Sequence, residues 1–302
     1  STEFNDYPLA KLKPILSISA DNLSIPSDVW ELCNFAANYY HHPLGNSLFC
    51  AIPTLLRKTT EPTANFNQTK FYQLINHEAK LRGSKQQHLL TEFQHTAILS
   101  YKQIQVILAA KPDKLIAQWI EKQIIYETPA PSAASVTQAL TLNEEQQLVV
   151  TAIASNFNTF HVGLLYGITG SGKTEVFLHL IQRILHQQQQ VLVIVPEINL
   201  TPQLQSRFEQ RFPAAKISLI NSEIAEKARF HAWMAAKSGQ SNIILGTRLS
   251  VFTPLHNVGL IIVDEEHDDS YKSDSKPRFH TKDLSIYMAK KFDIQLVLGS
   301  AT

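Results

Sequence analysis

The sequence is poor in cysteine. Cys33 and Cys50 are the only two in 302 residues. That excludes a disulfide framework and a cysteine-based zinc site in this stretch. Both read as small buried apolar residues, and a reducing cytoplasm fits them. Long apolar runs are also missing. No stretch of about 18 apolar residues occurs, so no membrane span is expected, and no signal peptide is visible. Charge of one sign is lacking too. Lys and Arg number 27 against 26 Asp and Glu, a formal net charge of +1, so the total speaks neither for nor against a polyanionic partner. Charged residues make up 18% of the chain and hydrophobic residues 44%, enough for real cores. At roughly 100–200 residues per domain, two or three domains are expected.

The charge is unevenly laid out. Residues 1–56 hold two basic and five acidic residues, whereas residues 57–128 hold ten basic and six acidic. The second stretch either touches phosphates or is an ordinary solvated surface. Pattern divides the chain in much the same places. Within 1–58, KLKPILSIS suits a strand. VWELCNFAANYYHHPLG suits a helix, because Val29, Leu32, Cys33, Ala36, Ala37 and Tyr40 recur at helical spacing. Pro43 and Gly45 are expected to end it. This much chain is too little for a self-sufficient domain. TTEPTANFN is a loop by composition. Residues 62–128 then read as helical pieces: FYQLINHEA, SKQQHLLTEF opening on Ser84, and PDKLIAQWIEKQII. The module is either a helix-turn-helix relative of the winged kind or a connector bundle with no ligand. Residues 129–137, rich in Pro, Ala and Ser, form a linker.

From residue 138 the grammar changes. HVGLLYGITG, QVLVIVPE, SNIILGT, VGLIIVDEE and IQLVLGSAT are short apolar runs, and helical stretches separate them. Unbroken apolar strands alternating with helices mean an α/β fold with a parallel sheet covered on both faces. Ligands on such sheets bind at the carboxyl ends of the strands, and each motif below sits at one.

GITGSGKT, from Gly167 to Thr174, has the spacing G-x-x-x-x-G-K-[ST] between an apolar run and a helix. Gly167, Thr169, Gly170, Ser171 and Gly172 are expected to wrap backbone N–H groups around phosphate oxygens, aided by the helix N-terminus. Lys173 reaches the β- and γ-phosphates, and Thr174 offers its hydroxyl to Mg. An acid from another strand end must complete the Mg shell. Asp264, at the head of DEEH, is placed for that, and Glu265 beside it orients the attacking water. Glu266 points elsewhere and is not a third equivalent acid. His267 either senses the γ-phosphate or DNA, or is an ordinary polar residue past the strand. Ser300 and Thr302, in GSAT, are candidates to bridge the acid segment to another domain. Thr201 in VPEINLTPQL, and Thr247 with Arg248 in GTRLSVFTPL, are candidates to hold a nucleic-acid backbone without reading bases.

Taken in this order, GITGSGKTEVF, VPEINLTPQL, GTRLSVFTPL, VDEEHDDSYK and LGSAT resemble motifs I, Ia, Ib, II and III of superfamily 2 DNA helicases. With YYHHPLGNSLFCAIPTLLR, they resemble the replication-restart branch of that superfamily. The resemblance implies a RecA-like helicase lobe over 138–302, a winged-helix domain over 62–128 and the latter part of a 3′ DNA-binding domain over 1–58. It implies ATP and Mg as ligands and an ATP-dependent 3′ to 5′ helicase of the bacterial cytoplasm and nucleoid. Such a helicase acts at stalled or repaired forks, with forked and single-stranded DNA, single-stranded-DNA-binding protein and primosome proteins as partners. Gln146 in LNEEQ resembles an adenine-reading glutamine. Arg278, Phe279 and His280 in YKSDSKPRFHTKD resemble an aromatic-rich coupling loop, and Lys13 resembles a lysine that holds a nascent 3′ end. Asn221-Ser222 stands where the family has His-Ser, and Pro277 where an aromatic can stand. The chain is expected to be a piece of a longer protein. The second lobe with its arginine finger, the zinc module and the C-terminal domain would lie outside it, and zinc is expected only there. Two rival readings are a DNA-binding module whose P-loop only senses nucleotide, and a restriction-type translocase that pumps duplex without separating it.

Overall fold

The structure, a computed structural model, describes residues 24–57, 71–76, 83–96, 98–128, 141–168 and 170–301. The expected strand KLKPILSIS, the loop TTEPTANFN and the linker 129–137 lie outside these residues.

Helix α1 (Ser27–Tyr39) buries the expected stripe of Val29, Leu32, Cys33, Ala36 and Ala37. Its end differs from expectation. The chain turns at His41, which is left-handed with φ 56°, and Pro43 then precedes a second helix, α2 (Leu44–Ala51). Pro43 and Gly45 therefore start a helix instead of stopping one. A proline costs nothing there, because the first turn leaves its N–H groups without intrahelical partners.

The next stretch runs β1 (Phe71–Leu74), α3 (Ser84–Thr96), β2 (Ile98–Ser100), α4 (Tyr101–Leu108), α5 (Asp113–Glu121) and β3 (Ile125–Thr128). The strands pair antiparallel in the order β2-β1-β3. FYQL is thus a strand, not part of a helix: Tyr72 and Leu74 alternate inward at the strand period. The run PDKLIAQWIEKQII is likewise split. Gln123 turns left-handed at φ 54°, and the isoleucines after it enter the core from the edge of β3. That core draws Tyr72, Leu89, Phe93, Ile104, Trp119 and Ile125 from this stretch alone.

The rest is an α/β lobe. Its elements are α6 (Glu144–Ala154), β4 (His161–Tyr166), α7 (Lys173–His186), β5 (Gln190–Ile194), α8 (Pro202–Arg211), β6 (Ile217–Ile220), α9 (Glu226–Lys237), β7 (Ile243–Gly246), β8 (Val258–Val263), α10 (Thr281–Lys291) and β9 (Gln295–Ser300). The sheet order is β4-β9-β8-β5-β7-β6, and every pairing is parallel. Alternate residues of the central strands face opposite layers, whereas the edge strand β4 leaves Val162, Leu164 and Tyr166 exposed, so the expected cover of both faces stops short of it. Val191, Val193, Leu260 and Ile262 meet α7 and α8 on one side. Leu192, Ile194, Ile261 and Val263 meet α10 on the other. That second layer also takes in Val29, Leu32, Cys33 and Ala36 of α1 and Ala51 of α2. Burying a side chain such as Leu32 is worth about 1.5–3 kcal/mol, so α1 is a working part of the lobe and not an appendage.

Candidate active site

The cradle lies where β4 hands over to α7. Gly172 has φ 86°, and a side chain there would run into the Gln146 amide, so glycine is required on two counts. Gln146 is the third residue of α6 and closes a capping box with Asn143. Its Nε2 also donates to the Ser171 carbonyl at 3.1 Å, which fastens α6 to the cradle. Lys173 opens α7. Its Nζ donates to the Gly167 carbonyl at 2.6 Å and stands 3.8 Å from Glu265 Oε1. Thr174 is half-buried beside it, and Gly170 is left-handed at φ 84°. Thr169 lies outside the described residues.

The acids leave the end of β8. The Asp264 N–H donates to the Ile194 carbonyl of β5 at 2.9 Å, extending the sheet by one bond. Burial above all, then the neighbouring Glu265 charge, raises the Asp264 carboxyl above its usual range. The Glu265 N–H, Lys173 and His267 partly oppose that rise. Glu265 has a left-handed backbone at φ 47°, which costs a non-glycine residue about 1–3 kcal/mol. Its N–H donates to Asp264 Oδ1 at 3.0 Å, which helps hold the turn. The turn carries its carboxylate off the strand line toward Lys173 and to 3.8 Å from His267 Nε2. On its other side His267 Nδ1 meets Ser300 Oγ at 3.3 Å. Gly299 makes room for this: a Cβ there would lie 2.7 Å from Asp264 Oδ1. The residues fit a nucleoside triphosphate with a divalent cation. Asp264 is a desolvated carboxylate facing a lysine, and the loop before that lysine is wound so tightly that a Cβ at Gly167 would meet Ser171 Oγ at 2.6 Å.

Other expected residues stand less simply. Thr201 caps α8, its hydroxyl accepting from the Leu204 N–H at 3.2 Å. Thr247 is buried at 2% exposure, so its side chain does not face a nucleic acid, and its backbone N–H donates to the Ile220 carbonyl at 3.0 Å. Arg248 is half-exposed, 3.8 Å from Glu197 Oε1. Phe279 is buried and meets Phe252 edge-on at 5.2 Å, making it core rather than an exposed aromatic. Arg278 is exposed, with its N–H donating to His42 Nε2 at 2.9 Å. His280 caps α10 through Nδ1. Glu266 is paired with Lys282 at 2.7 Å, in keeping with a role apart from the two acids before it. Lys13 and Thr302 lie outside the described residues.

Three participants escaped the sequence reading. Tyr271 is fully buried, and its hydroxyl lies against the Ile194 carbonyl at 3.2 Å and against that of Asp264, bracing the root of the acid turn. Glu175 follows the cradle and binds Arg207 at 3.3 Å and the buried Arg211 at 3.7 Å, tying α7 to α8. Lys282 is the third. All three lie inside the quoted stretches GITGSGKTEVF, VDEEHDDSYK and YKSDSKPRFHTKD, yet no spacing rule singles them out, and only their burial and bonds show what they do.

A parallel sheet with a glycine-wound cradle, a lysine and two converging acids at its carboxyl edge defines a P-loop nucleotide lobe. Residues 139–302 match the family described as Type III restriction enzyme, res subunit, and residues 1–53 match the 3′DNA-binding domain (3′BD). The chain belongs to the first of these families through its lobe, and it is similar to replication restart proteins PriA. It is 37% identical to Replication restart protein PriA of Haemophilus influenzae, over 99% of this chain and 42% of the relative. It is 30% identical to that of Chlamydia pneumoniae, over 97% of this chain and 41% of the relative. The chain thus spans less than half the length of these relatives. Among solved structures, that of RecG bound to three-way DNA junction has a TM-score of 0.40 and 21% identity, covering 63% of this chain and 23% of that one. It adds nothing to what the strand order already shows.

Proposed function

We propose that this chain is the nucleotide-binding and fork-recognising part of an ATP-dependent 3′ to 5′ DNA helicase. In this reading it acts at stalled or repaired replication forks, in the cytoplasm and at the nucleoid, and starts primosome assembly there. Single-stranded-DNA-binding protein and other primosome proteins are its expected partners. The observation that carries the reading is the convergence of Lys173 and Glu265, 3.8 Å apart, beside the half-buried Asp264. Among the described residues no helix is long and apolar enough to cross a membrane.

Each residue then has a task. Gln146 reads the adenine edge from α6. Gly167, Thr169, Gly170, Ser171 and Gly172 supply N–H groups to the phosphates. Lys173 leaves the Gly167 carbonyl for the β- and γ-phosphate oxygens. Thr174 and Asp264 would hold Mg, which would supply charge neutralisation for the phosphates. Glu265 orients water for in-line attack and takes up its proton. His267, between Glu265 and Ser300, relays the state of that acid to the end of β9. Arg248, with the backbone around Thr201 and Thr247, follows a strand without reading bases. Residues 62–128, whose described part holds three strands and three helices, are read as a winged-helix module, and residues 1–58, matched over 1–53, as the latter part of a 3′ DNA-binding domain.

The test is the protein at the length of its relatives, given ATP, Mg and forked DNA. Phosphate release stimulated by DNA, together with strand displacement, is expected. Nucleotide binding without stimulated release would instead make the lobe a sensor. Stimulated release without displacement would make it a duplex translocase, the alternative that the description of the matched family keeps open.

A further inference from the structure

The tip of α1 grips the segment that leads into α10, and that segment in turn grips the acid turn. The Tyr40 hydroxyl donates to Asp283 Oδ2 at 2.8 Å and accepts from the His280 N–H at 3.0 Å. Both capacities of the phenol are used, which fixes its direction. Two residues on, His42 Nε2 accepts from the Arg278 N–H at 2.9 Å. Phe35 stacks on Tyr287 of α10 with ring centroids 3.8 Å apart. One side chain of the anchored segment bonds the acid turn directly, beside the indirect tie from Thr281 through Tyr271. Lys282 Nζ bonds Glu266 Oε2 at 2.7 Å, and the Glu266 N–H donates to the Gly299 carbonyl at 2.7 Å. Glu266 immediately follows Glu265, whose left-handed backbone must be held in place. Each contact from Tyr40 to Glu265 is thus a specific polar bond or a chain neighbour, and two of the polar bonds carry formal charge.

We infer that Tyr40 and His42 are positioning residues for ATP hydrolysis: they hold residues 278–283 so that Lys282 keeps the acid turn 264–267 in its working geometry. Neither touches the reacting atoms. The inference rests on the proposed nucleotide hydrolysis and adds a direction of control. α1 lies within the stretch matching the 3′DNA-binding domain, so a change there has a short mechanical route to the hydrolytic acid. A route of this kind counts as coupling only if its members act as one unit. Plain packing predicts otherwise: Tyr40 and Lys282 do not bond each other, and their losses would add.

The experiment uses the full-length protein with Tyr40→Phe, Lys282→Met and the double variant. Tyr40→Phe keeps the ring and loses both hydrogen bonds. Each single variant is expected to lower the kcat of DNA-stimulated hydrolysis by about three- to thirtyfold, the span usual for positions along a coupling route, with KM for ATP little changed. The double variant is expected to be no slower than the slower single. A double loss equal to the product of the singles, or a Tyr40→Phe enzyme at the wild-type rate, overturns the inference. Amide exchange gives a readout that needs no turnover. In Tyr40→Phe, and in His42→Ala should the first fold poorly, exchange is expected to rise at residues 264–267 as well as at 278–283. Faster exchange confined to 278–283 also overturns it. A wild-type protein without hydrolysis would sink the functional reading, while the exchange result would still decide the route.

Discussion

Two stretches precede the large sheet in the chain, and they stand in opposite relations to it. Residues 71–128 surround a core of their own, with Phe93 and Trp119 at its centre. Helices α1 and α2 have no such core. Val29, Leu32, Cys33 and Ala36 finish the layer that Ile194, Ile261 and Val263 begin. The stretch further away in sequence is therefore the nearer one in structure. Order along the chain is a poor guide to folding units, and a stretch matched by a DNA-binding description is physically part of the nucleotide lobe.

The sharpest test of that contrast starts in the site. In the full-length protein, Glu265→Gln is expected to cut turnover by about 10²–10⁴, the usual loss for a positioned base, while nucleotide binding survives. Asp264→Asn is expected to weaken Mg-dependent binding as well. Calorimetry with and without Mg, beside phosphate release, separates the two, and equal loss of binding in both contradicts the assigned roles. Core truncations come next. Phe93→Ala is expected to cost the small module about 3–5 kcal/mol and Leu32→Ala to cost the lobe about 2–5 kcal/mol. Only the second should lower the melting temperature of nucleotide binding, and the contrast breaks if Phe93→Ala lowers it equally. A smaller effect is expected where α2 meets α9. The Trp233 Nε1–H donates to the Ala51 carbonyl at 2.9 Å, and Trp233→Phe leaves that buried acceptor unpaired at a cost of about 1–3 kcal/mol, readable as a shift in denaturant midpoint. The mildest probe changes no residue. Burial pushes the Cys33 thiol up to about 12, so below that pH the folded protein presents it protonated, enclosed and unreactive. Alkylation of Cys33 should appear at the denaturant concentration that unfolds the lobe; labelling well before it would detach α1 from the shared core.

The lobe was legible because its central strands are buried on both faces. QVLVI and GLIIV need no alternation to be recognised, and the chemistry falls at their ends, where Lys173, Asp264 and Glu265 were expected. In the stretch 71–128 the strands within FYQLINHEA and at the end of PDKLIAQWIEKQII were hidden because they are only four residues long. FYQL holds only two periods of alternation, too little to outweigh the helical composition around it. The left-handed turns at His41 and Gln123 carry no glycine to announce them. Thr247 and Phe279 stand in the expected motifs yet point inward, since a motif gives a position in the chain and not the direction of a side chain. The ties from Tyr40 to Asp283 and from Trp233 to Ala51 join residues far apart in sequence, and only the folded chain brings them together.

The shared core also imposes an order on synthesis. Leu32 is made roughly 230 residues before Ile261, and at about 5–20 residues per second that is about 10–50 s on the ribosome. During that time the nascent α1 has no sheet to cover, while the module of 71–128 has everything its own core requires. Contacts this distant in the chain are the slow ones to form. The lobe can be completed only when β8 and β9 return to a helix made long before them.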